Sequence, residues 1–322
     1  MAVNQIKQLL NHLNSQVIGQ SELTQSIIVA LLADGHILVE GPPGLAKTRA
    51  VNALSDGIDA NFHRVQFTPD LLPADLTGTD IYRPETGEFV FQQGPLFHNL
   101  VLADEINRAP AKVQSALLEA MAERQITVGS KTYNLPQLFL VMATQNPLEQ
   151  EGTYPLPEAQ LDRFLMHIEI DYPNADTELK ILKLNRGESL DDMNHALPKD
   201  IEKLSQLDIM SARKSILEIH MSEAIETYIV QLIMATRKPQ AYSEQLREWI
   251  EIGASPRATI ALERCARAHA WLNERDFVTP EDVQAMLFNV LRHRLILSYQ
   301  AQAEGIDANK VIAQIMQLVP IP

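Results

Sequence analysis

The sequence is poor in cysteine, since Cys265 is the single one among 322 residues. An internal disulfide bond and a cysteine-based zinc site are therefore excluded. Because Cys265 falls within an alanine-rich pattern of helical period, we expect it to be a buried apolar residue rather than a reactive thiol.

Positive charge is also scarce, with 27 Lys and Arg against 41 Asp and Glu and a net charge of -14. A nucleic-acid-binding surface normally needs a basic surplus, so nucleic acid is a disfavoured partner. No apolar run approaches the roughly 18 residues of a membrane span. The amphipathic N-terminus lacks the apolar core of a signal peptide. We therefore expect no membrane span and a cytoplasmic location.

The chain has 322 residues, of which 46% are hydrophobic, and at roughly 150 residues per domain this length suggests two domains. Hydrophobic patterns in the first half predict five strands that alternate with helices, which is typical of a parallel α/β sheet. Two β-hairpins, at about 81–91 and 126–133, interrupt that alternation as insertions. The pattern from residue 173 onward is helical. We predict an α/β domain over 1–172 and an all-α domain over 173–322.

The stretch 40–48 reads Glu-Gly-Pro-Pro-Gly-Leu-Ala-Lys-Thr and lies between an apolar strand and an amphipathic helix. In this context Gly41 and Gly44 allow backbone N–H groups to surround nucleotide phosphates. Lys47 supplies positive charge to the β and γ phosphates, and the Thr48 hydroxyl can bind Mg²⁺. The stretch is therefore a candidate phosphate-binding loop.

One position of this loop departs from the common pattern. Ala46 stands where a second glycine is usual, which is tolerable if this residue adopts a negative φ. The alternative interpretation is an ordinary Gly/Pro-rich turn before a helix. The flanking strand and helix favour the phosphate loop.

Asp104 and Glu105 follow the buried strand 100–103, at the edge where open α/β sheets place their ligands. Asp104 is a candidate to hold Mg²⁺ through water, and Glu105 is a candidate to activate the water that attacks a γ-phosphate. Charged residues also end strands merely for solubility. The catalytic interpretation of Asp104 and Glu105 therefore depends on the phosphate loop that precedes them. Asn146 ends the next strand, where it could reach the same water or simply begin an Asn-Pro turn.

Two arginines are candidates for contacts with phosphate. Arg163 could pair locally with Asp162 or Glu158, or it could contact the nucleotide of a neighbouring subunit. Arg257 is the second residue of a helix whose predicted start is Ser255-Pro256. A cation there opposes the helix dipole by roughly 0.3–1 kcal/mol. Because an anionic ligand would remove this conflict, we favour a γ-phosphate contact for Arg257.

Taken together, these motifs resemble those of the MoxR family of AAA+ ATPases, in order and over essentially the whole chain. The segments that carry the resemblance are 41–48, 102–109, 143–147, 156–164 and 255–258. Alanine at position 46 is usual in that family. The resemblance implies the AAA+ fold, a five-stranded parallel sheet with hairpin insertions and a C-terminal helical lid.

The resemblance also implies roles for individual residues. Lys47 and Thr48 would form the Walker A pair, and Asp104 and Glu105 the Walker B pair. The remaining catalytic roles would be sensor 1 for Asn146, arginine finger for Arg163 and sensor 2 for Arg257. The helical lid would bring Arg257 to the nucleotide of its own chain, whereas Arg163 would act on the nucleotide of a neighbouring subunit. The nucleotide would be bound by Val17, Ile18 and Gly19 at the adenine and by Gly41, Pro42, Pro43, Gly44, Leu45, Ala46, Lys47 and Thr48 at the phosphates.

Further expectations follow from the same resemblance. The hairpin at 80–91 would be the helix 2 insert and that at 126–135 the pre-sensor 1 hairpin, both projecting toward a central pore. Gln66 would restrain Glu105 until a substrate engages. The cofactors would be ATP and Mg²⁺, and the assembly a homo-oligomeric ring, expected to be a hexamer. Its partner would be a client protein, which in this family commonly carries a von Willebrand factor A domain.

Three other functions remain open from the sequence. A DNA-translocating motor also uses a pre-sensor 1 hairpin, but Lys131 is the single cation at this tip and the chain is acidic. A second alternative is a magnesium chelatase-like motor subunit, which would use a similar ATPase core. A scaffold that binds ATP without hydrolysing it is disfavoured by the intact Glu105. GTP is disfavoured because Asn309-Lys310 is not followed by an aspartate that would read guanine.

Overall fold

The computed structural model describes residues 2–147, 152–193 and 202–322. Its strands in chain order are β1 (Ile37–Glu40), β2 (Phe62–Gln66), β3 (Gly78–Arg83), β4 (Glu88–Gln93), β5 (Leu100–Asp104), β6 (Gln125–Val128), β7 (Lys131–Asn134), β8 (Leu140–Gln145), β9 (Met166–Glu169), β10 (Ile250–Ile252) and β11 (Ile296–Leu297). Five of these strands form one parallel sheet in the order β2-β5-β8-β1-β9. The predicted five-stranded parallel sheet is thus confirmed.

Helices surround this sheet and form most of the C-terminal part. They are α1 (Ala2–Gln16), α2 (Ser21–Leu32), α3 (Lys47–Asp56), α4 (Pro73–Thr77), α5 (Ala111–Glu123), α6 (Glu158–Leu161), α7 (Ala175–Met193), α8 (Gln206–Leu217), α9 (Glu223–Arg237), α10 (Glu244–Trp249), α11 (Pro256–Leu272), α12 (Pro280–Leu291), α13 (Tyr299–Ala303) and α14 (Ala308–Leu318). Across the described ranges, no helix combines the length and the apolar character that crossing a bilayer requires.

Alternate side chains of the central strands contribute to two separate hydrophobic clusters. In β5, Leu100 and Leu102 belong to the cluster that contains α2, α3 and the C-terminal helices. Val101 and Ala103 belong to the cluster built around α5. All four side chains are at most 1% exposed, because successive residues of a strand point to opposite faces and helices cover both faces here. This double burial explains the uninterrupted apolar run in the sequence.

Both predicted hairpins are present as antiparallel pairs, β3 with β4 and β6 with β7. The Phe91 ring of the first hairpin stacks on the Tyr133 ring of the second, with the ring centroids 4.2 Å apart. The two insertions therefore contact each other. Further along the first hairpin, the side chains of Tyr82 and Phe89 are 52% and 69% exposed.

The C-terminal helices begin at the caps that the sequence indicates. The Ser222 and Ser255 hydroxyls accept backbone hydrogen bonds at the starts of α9 and α11, and Thr279 forms a capping box with Asp282 at the start of α12. A short antiparallel pair, β10 with β11, was not anticipated. Strands of three and two residues leave too little periodicity to be recognised.

The helical region packs directly on the sheet and on the N-terminal helices. Arg213 of α8 donates hydrogen bonds of 2.9 and 2.7 Å to the Leu31 carbonyl of α2. Arg292, just after α12, donates one of 2.8 Å to the His167 carbonyl of β9. The division proposed at Tyr172 falls between β9 and α7, and it stays a prediction. Cys265 is fully buried, as expected, and burial raises the pKa of its thiol to about 12.

Candidate functional site

The loop between β1 and α3 exposes its backbone on one side. Gly44 has a φ of +82°, and a Cβ built there would meet no atom within 4 Å. Gly41 is required for a different reason, since a Cβ there would lie 2.5 Å from the carbonyl oxygen of Ile170, which follows β9. The loop is thus packed against β9 on one side and open on the other. Open backbone N–H groups before a helix are the arrangement that binds phosphate.

The conformation of Ala46 corrects one expectation. Its φ is +57°, in the left-handed region, whereas a negative φ was expected to make alanine tolerable here. A side chain in this region costs roughly 1–2 kcal/mol. The carbonyl oxygen of Ala46 accepts the first hydrogen bond of α3, 2.9 Å from the Ala50 nitrogen. The start of the helix therefore holds the residue in place.

Lys47 and Thr48 are the first two residues of α3. The Lys47 ammonium donates to the Gly41 carbonyl at 2.7 Å and to the Gln145 carbonyl at 3.5 Å. It therefore lies between the loop and the end of β8. Thr48 is partly buried in the first helical turn.

Asp104 and Glu105 lie at the end of β5 and are held by its neighbour β8. The Thr144 hydroxyl donates to Asp104 Oδ1 at 2.6 Å and accepts from the Glu105 backbone N–H at 2.9 Å. Glu105 has a φ of +58°, so the chain turns sharply after the strand. One threonine on β8 thus positions both acidic residues.

Asn146 follows β8 directly and is 4% exposed. Because β5 and β8 are adjacent and parallel, their carboxyl ends meet at the same edge of the sheet. Asp104, Glu105 and Asn146 therefore lie together at this carboxyl edge, and Lys47 reaches the same edge through the Gln145 carbonyl.

Two residues of β2 complete the carboxyl edge. The Gln66 amide donates to Glu105 Oε2 at 2.6 Å, in agreement with the contact that the family resemblance implies. Arg64 donates from Nε and Nη2 to Asp104 Oδ2 at 3.2 and 2.6 Å. Sequence reasoning missed Arg64, because its partner depends on the register that sets Gln66 opposite Asp104.

A cavity of about 170 Å³ adjoins the phosphate loop. Of the three residues expected at the adenine, Ile18 lines this cavity, Val17 lies in the core and Gly19 lies beside Thr177 of α7. The loop contributes Gly44, Leu45 and Ala46 to its wall, and α7 contributes Glu178, Ile181, Leu184 and Asn185. The apolar parts of this wall suit a nucleobase.

Helix α7 is attached to the phosphate-loop helix by a charged pair. Arg49 of α3 forms an ion pair with Glu188 of α7 and also donates to the Gln16 side chain at 3.1 Å. These contacts place α7 over the cavity. Sequence reasoning assigned α7 to the lid without a role at the nucleotide, although Ile181 and Leu184 are spaced as one apolar helical face.

A second polar cluster lies at the opposite edge of the sheet, where the strands begin. Asp162 precedes β9, and the Leu165 nitrogen, also before β9, donates to the His36 carbonyl at 2.7 Å. His36 itself directly precedes β1. Since β1 and β9 are parallel, this amino edge is one strand length away from the phosphate loop that follows β1.

Arg257 belongs to the amino edge. Its Nη1 lies 3.4 Å from Asp162 Oδ2, an oxygen that also accepts from the Ser255 hydroxyl at 2.8 Å. Arg294 donates to Asp162 Oδ1 at 2.8 Å. The carboxylate of Asp162 is thus an anion that offsets the cation in the first turn of α11. The sequence interpretation assumed that Arg257 reaches the phosphate loop of its own chain. The structure does not bring it there.

Arg163 also lies at the amino edge. Its Nη1 donates to the Leu118 carbonyl at 2.7 Å. It makes no ion pair with Asp162 or Glu158, or with any other described residue. The local pairing considered from the sequence is therefore absent.

Arginines converge on one cleft of about 440 Å³ at this edge. Its five arginines are Arg124, Arg163, Arg257, Arg264 and Arg294, and its two carboxylates are those of Asp34 and Asp162. Guanidinium groups are the donors that proteins use for phosphate, although Arg124, Arg257 and Arg294 are here paired with the two carboxylates of the arginine cleft.

Comparison with known proteins agrees with this geometry. Residues 36–166 match the family described as "ATPase family associated with various cellular activities (AAA)", and residues 245–315 match the AAA lid domain. The chain is 44% identical to Chaperone MoxR1 of Mycobacterium tuberculosis, over 95% of this chain and 79% of that protein. It is 42% identical to YeaC, an uncharacterised protein of Bacillus subtilis, over 97% of this chain and 93% of that protein.

The chain belongs to the MoxR family of AAA+ ATPases. A crystal structure of a candidate ATPase from Cytophaga hutchinsonii has the same fold, with a TM-score of 0.91 and 47% identity over 100% of this chain and 96% of that chain. The α/β sheet with its hairpins and the helical lid are therefore those of a MoxR-family protein.

The MoxR-family site fits a magnesium ion that binds together with a nucleotide. Thr48 offers a hydroxyl and Asp104 a carboxylate, the oxygen donors that Mg²⁺ prefers. Within the described residues, no group of three or more His, Cys, Asp and Glu side chains could hold a metal ion on its own. Further ligands would come from phosphate oxygens and water.

An additional polar pair lies beside the phosphate loop of this MoxR-family chain. Glu40 ends β1, and its Oε2 lies 2.9 Å from Nε2 of His167 on β9. The hydrogen bond from His167 holds the pKa of the Glu40 carboxyl below its ordinary value, against the opposing effect of burial, and the nearby charge of Lys47 adds to the lowering. Glu40 thus stays ionised beside the loop.

Proposed function

We propose that this MoxR-family protein is a Mg²⁺-dependent ATPase whose active site forms between neighbouring subunits of a ring, which we take to be a hexamer. The observation that carries the proposal is the separation of two half-sites. The phosphate loop, Asp104 and Glu105 lie at the carboxyl edge of the sheet, whereas Arg163 and Arg257 lie at the amino edge. One chain therefore cannot bring both sets to one nucleotide.

Two unlike surfaces that complement each other favour a ring. If the arginine cleft of one subunit faces the carboxyl edge of the next, the contact is heterologous, and such contacts close into rings when the rotation allows. Every subunit then both receives arginines and donates them. This arrangement assigns Arg257, like Arg163, to the neighbour's nucleotide.

At the carboxyl edge, each residue has a defined task. Lys47 and the loop N–H groups bind the phosphates of ATP, while the base contacts Ile18. Mg²⁺ held at Thr48 and Asp104 would neutralise charge on the phosphoryl oxygens. Glu105 orients the attacking water and accepts its proton.

Three further residues complete the reaction. Asn146 hydrogen-bonds the attacking water or the γ-phosphate. Arg163 and Arg257, donated by the neighbouring subunit, stabilise the charge on the γ-phosphoryl group, and an arginine finger of this kind is worth about 10³–10⁵ in rate. An isolated subunit is therefore a slow ATPase.

Gln66 acts as the restraint on Glu105 in this proposal. Its amide donates at 2.6 Å to Glu105 Oε2, an oxygen that also accepts from Arg108 Nη1 at 2.9 Å, so Gln66 is one of two donors that engage the carboxylate needed to accept a proton from water. Hydrolysis is then slow until a partner protein shifts Gln66. This places the control of turnover on β2, next to the insertion that begins at β3.

The work done by the ring is the remodelling or maturation of a protein partner in the cytoplasm. MoxR1, to which this chain is similar, is named a chaperone. The contacting hairpins, which expose Tyr82 and Phe89, offer an apolar surface for a protein client. A client or adaptor with a von Willebrand factor A domain is our first choice. Nucleic acid is disfavoured by the net charge of -14.

Mixing two inactive variants tests the shared site. Lys47→Ala removes the phosphate contact, and Arg163→Ala removes the donated arginine. Each variant alone should hydrolyse little ATP, but mixed rings contain interfaces with an intact Lys47 facing an intact Arg163. We expect mixing to restore a measurable part of the parental ATPase rate.

The control is a mixture of Lys47→Ala with the double variant Lys47→Ala/Arg163→Ala, which cannot form an intact interface. Assembly of all variants is checked by light scattering. Rings that mix freely yet regain no activity would contradict a site shared between subunits.

A further inference from the structure

Both carboxylate oxygens of Asp104 already have hydrogen-bond donors. Oδ1 accepts from the Thr144 hydroxyl at 2.6 Å, and Oδ2 accepts twice from Arg64, at 3.2 and 2.6 Å. The Arg64 guanidinium therefore neutralises the carboxylate assigned to the metal. This pair lies on adjacent strands, so the register of β2 and β5 builds it into the sheet.

The same guanidinium is connected to the catalytic carboxylate. Arg64 Nη2 donates to Gln66 Oε1 at 3.2 Å, and Gln66 Nε2 donates to Glu105 Oε2 at 2.6 Å. A continuous chain of hydrogen bonds thus runs from Asp104 through Arg64 and Gln66 to Glu105. A change at one end alters the donor available to the other.

A divalent cation held at Asp104, directly or through water, would compete with the guanidinium for this carboxylate. An arginine is always charged, so it cannot yield to a metal by losing a proton. It must move away instead. The Arg64 side chain is 49% exposed, whereas that of Asp104 is 13% exposed, so Arg64 can swing into solvent without burying its charge.

We propose that Arg64 is a positioning residue that occupies Asp104 until Mg²⁺ arrives with the nucleotide, and that its departure loosens Gln66, so that a partner protein can then shift Gln66 away from Glu105. This inference rests on the proposed ATPase function and extends it. It couples loading of the metal to activation of the general base. As long as the site lacks Mg²⁺, Glu105 therefore stays hydrogen-bonded to Gln66 and does not act as the general base.

Mg²⁺ titrations of nucleotide binding test the proposal. The probe is a fluorescent, non-hydrolysable ATP analogue, and the measurement is the Mg²⁺ concentration at half-maximal binding. Because a part-exposed ion pair is a modest competitor, Arg64→Ala should lower this midpoint by about three- to ten-fold. Arg64→Lys keeps the charge but cannot donate from two nitrogens at once. Its Mg²⁺ midpoint should therefore lie between those of the parent and of Arg64→Ala.

Arg247→Ala is the matched control. Arg247 lies on α10, outside the central sheet, and forms a surface ion pair with Glu244 at 3.2 Å. Its midpoint should equal that of the parent. A second readout separates positioning from general damage. Arg64→Ala should shift the Mg²⁺ midpoint of hydrolysis by a larger factor than it shifts kcat, whereas a damaged fold would lower kcat and binding together.

The hydrogen-bonded chain predicts coupling between Arg64 and Gln66. Gln66→Ala should also lower the Mg²⁺ midpoint, by a smaller factor, and the double variant should show less than the product of the two effects. Multiplicative effects would overturn the link to Glu105.

Two results would overturn the occupancy of Asp104 by Arg64. One is an unchanged or higher Mg²⁺ midpoint in Arg64→Ala, and the other is a crystal structure with Mg²⁺ and nucleotide in which Arg64 still contacts Asp104. If the parent binds and hydrolyses ATP while the midpoint is unshifted, this inference alone fails. A parent that binds no nucleotide would overturn the proposed function as well.

Discussion

The two edges of the central sheet differ in the charges that they present. The carboxyl edge carries two carboxylates, two amides and a lysine beside an open glycine loop, and its one arginine from β2, Arg64, is engaged with Asp104. The amino edge carries a cleft with five arginines and two carboxylates. Each edge has what the other lacks for phosphoryl transfer, and this difference is the reason to regard one chain as half of each active site.

The two edges also differ in what holds their side chains. Asp104 and Glu105 are fixed by Thr144 of the adjacent strand, and further donors come from β2 and from the turn after β5. The carboxyl edge is therefore held from within the α/β part of the chain. At the amino edge, Asp162 is held by Ser255 and Arg294 of the C-terminal helical region. A movement of the helical region would therefore shift the arginine cleft while it leaves the carboxyl edge intact. Such a movement is a route by which nucleotide state could become mechanical work.

The largest of the four effects predicted below comes from the carboxyl edge. Glu105→Gln keeps the size and the hydrogen bond from Gln66 but removes the base, so kcat should fall by about 10²–10⁴. Binding of ATP should persist, as measured by a fluorescent analogue. Glu251→Gln, an exposed residue on β10, is the control. Unchanged turnover in Glu105→Gln would favour a scaffold that binds ATP without using it.

The second effect concerns the pH dependence of stability that arises from His36, a buried residue at the amino edge. His36 is fully buried there, and burial, with a smaller contribution from Arg124, lowers its pKa to about 4. Its Nδ1 accepts from the Val141 nitrogen at 3.0 Å. Because the folded pKa is below the unfolded value of about 6.5, the unfolded chain binds the proton more tightly. Stability should therefore fall as the pH drops from about 6.5 to about 4.

The size of this loss is about 3 kcal/mol, since each pKa unit corresponds to roughly 1.4 kcal/mol. The measurement is denaturant-induced unfolding at pH 7 and at pH 4, with His36→Gln as the comparison. That variant should be less stable at pH 7 and lose less stability on acidification than the parent. Equal losses in the two proteins would mean that His36 does not titrate on unfolding.

The third effect sharpens the assignment of Arg257. Because hydrogen bonds to charged groups contribute roughly 1.5–3 kcal/mol, Arg257→Ala should lower kcat about ten- to hundred-fold. Mixing it with Lys47→Ala should restore activity if Arg257 serves the neighbouring subunit. Restoration by Arg163→Ala but not by Arg257→Ala would place Arg257 at the nucleotide of its own chain and break the division between the two edges.

The sequence predicts those parts of the site that depend on short stretches of consecutive residues. The phosphate loop, the acidic pair after β5 and the cap at Ser255 each need only a few consecutive residues. The β2–β5 register is different, since it joins residues about 40 positions apart. Arg64 was missed because nothing near it in the chain identifies Asp104 as its partner.

Errors arose where packing between distant elements decides the outcome. Arg257 was placed at its own phosphate loop from its position in the first turn of α11. Its real surroundings depend on how the helical region packs at the start of β9, where Asp162 contacts Ser255 and Arg294. At position 46 the condition set for alanine, a negative φ, was wrong for a local reason, since Ala46 lies at the start of α3 with a φ of +57°.

The smallest effect tests how the carboxyl edge is restrained. Gln66→Ala removes the amide that donates to Glu105 at 2.6 Å. A hydrogen bond to a charged group is worth roughly 1.5–3 kcal/mol before exposure weakens it. Because this one is exposed and Arg108 still contacts the same oxygen, the basal ATPase rate should rise only about two- to ten-fold. Stimulation by a protein client should shrink by a similar factor, because the released state is already populated. Gln92→Ala, at an exposed position of β4, controls for loss of an amide elsewhere. A lower basal rate in Gln66→Ala would show that Gln66 helps to orient Glu105 for catalysis rather than holding it back.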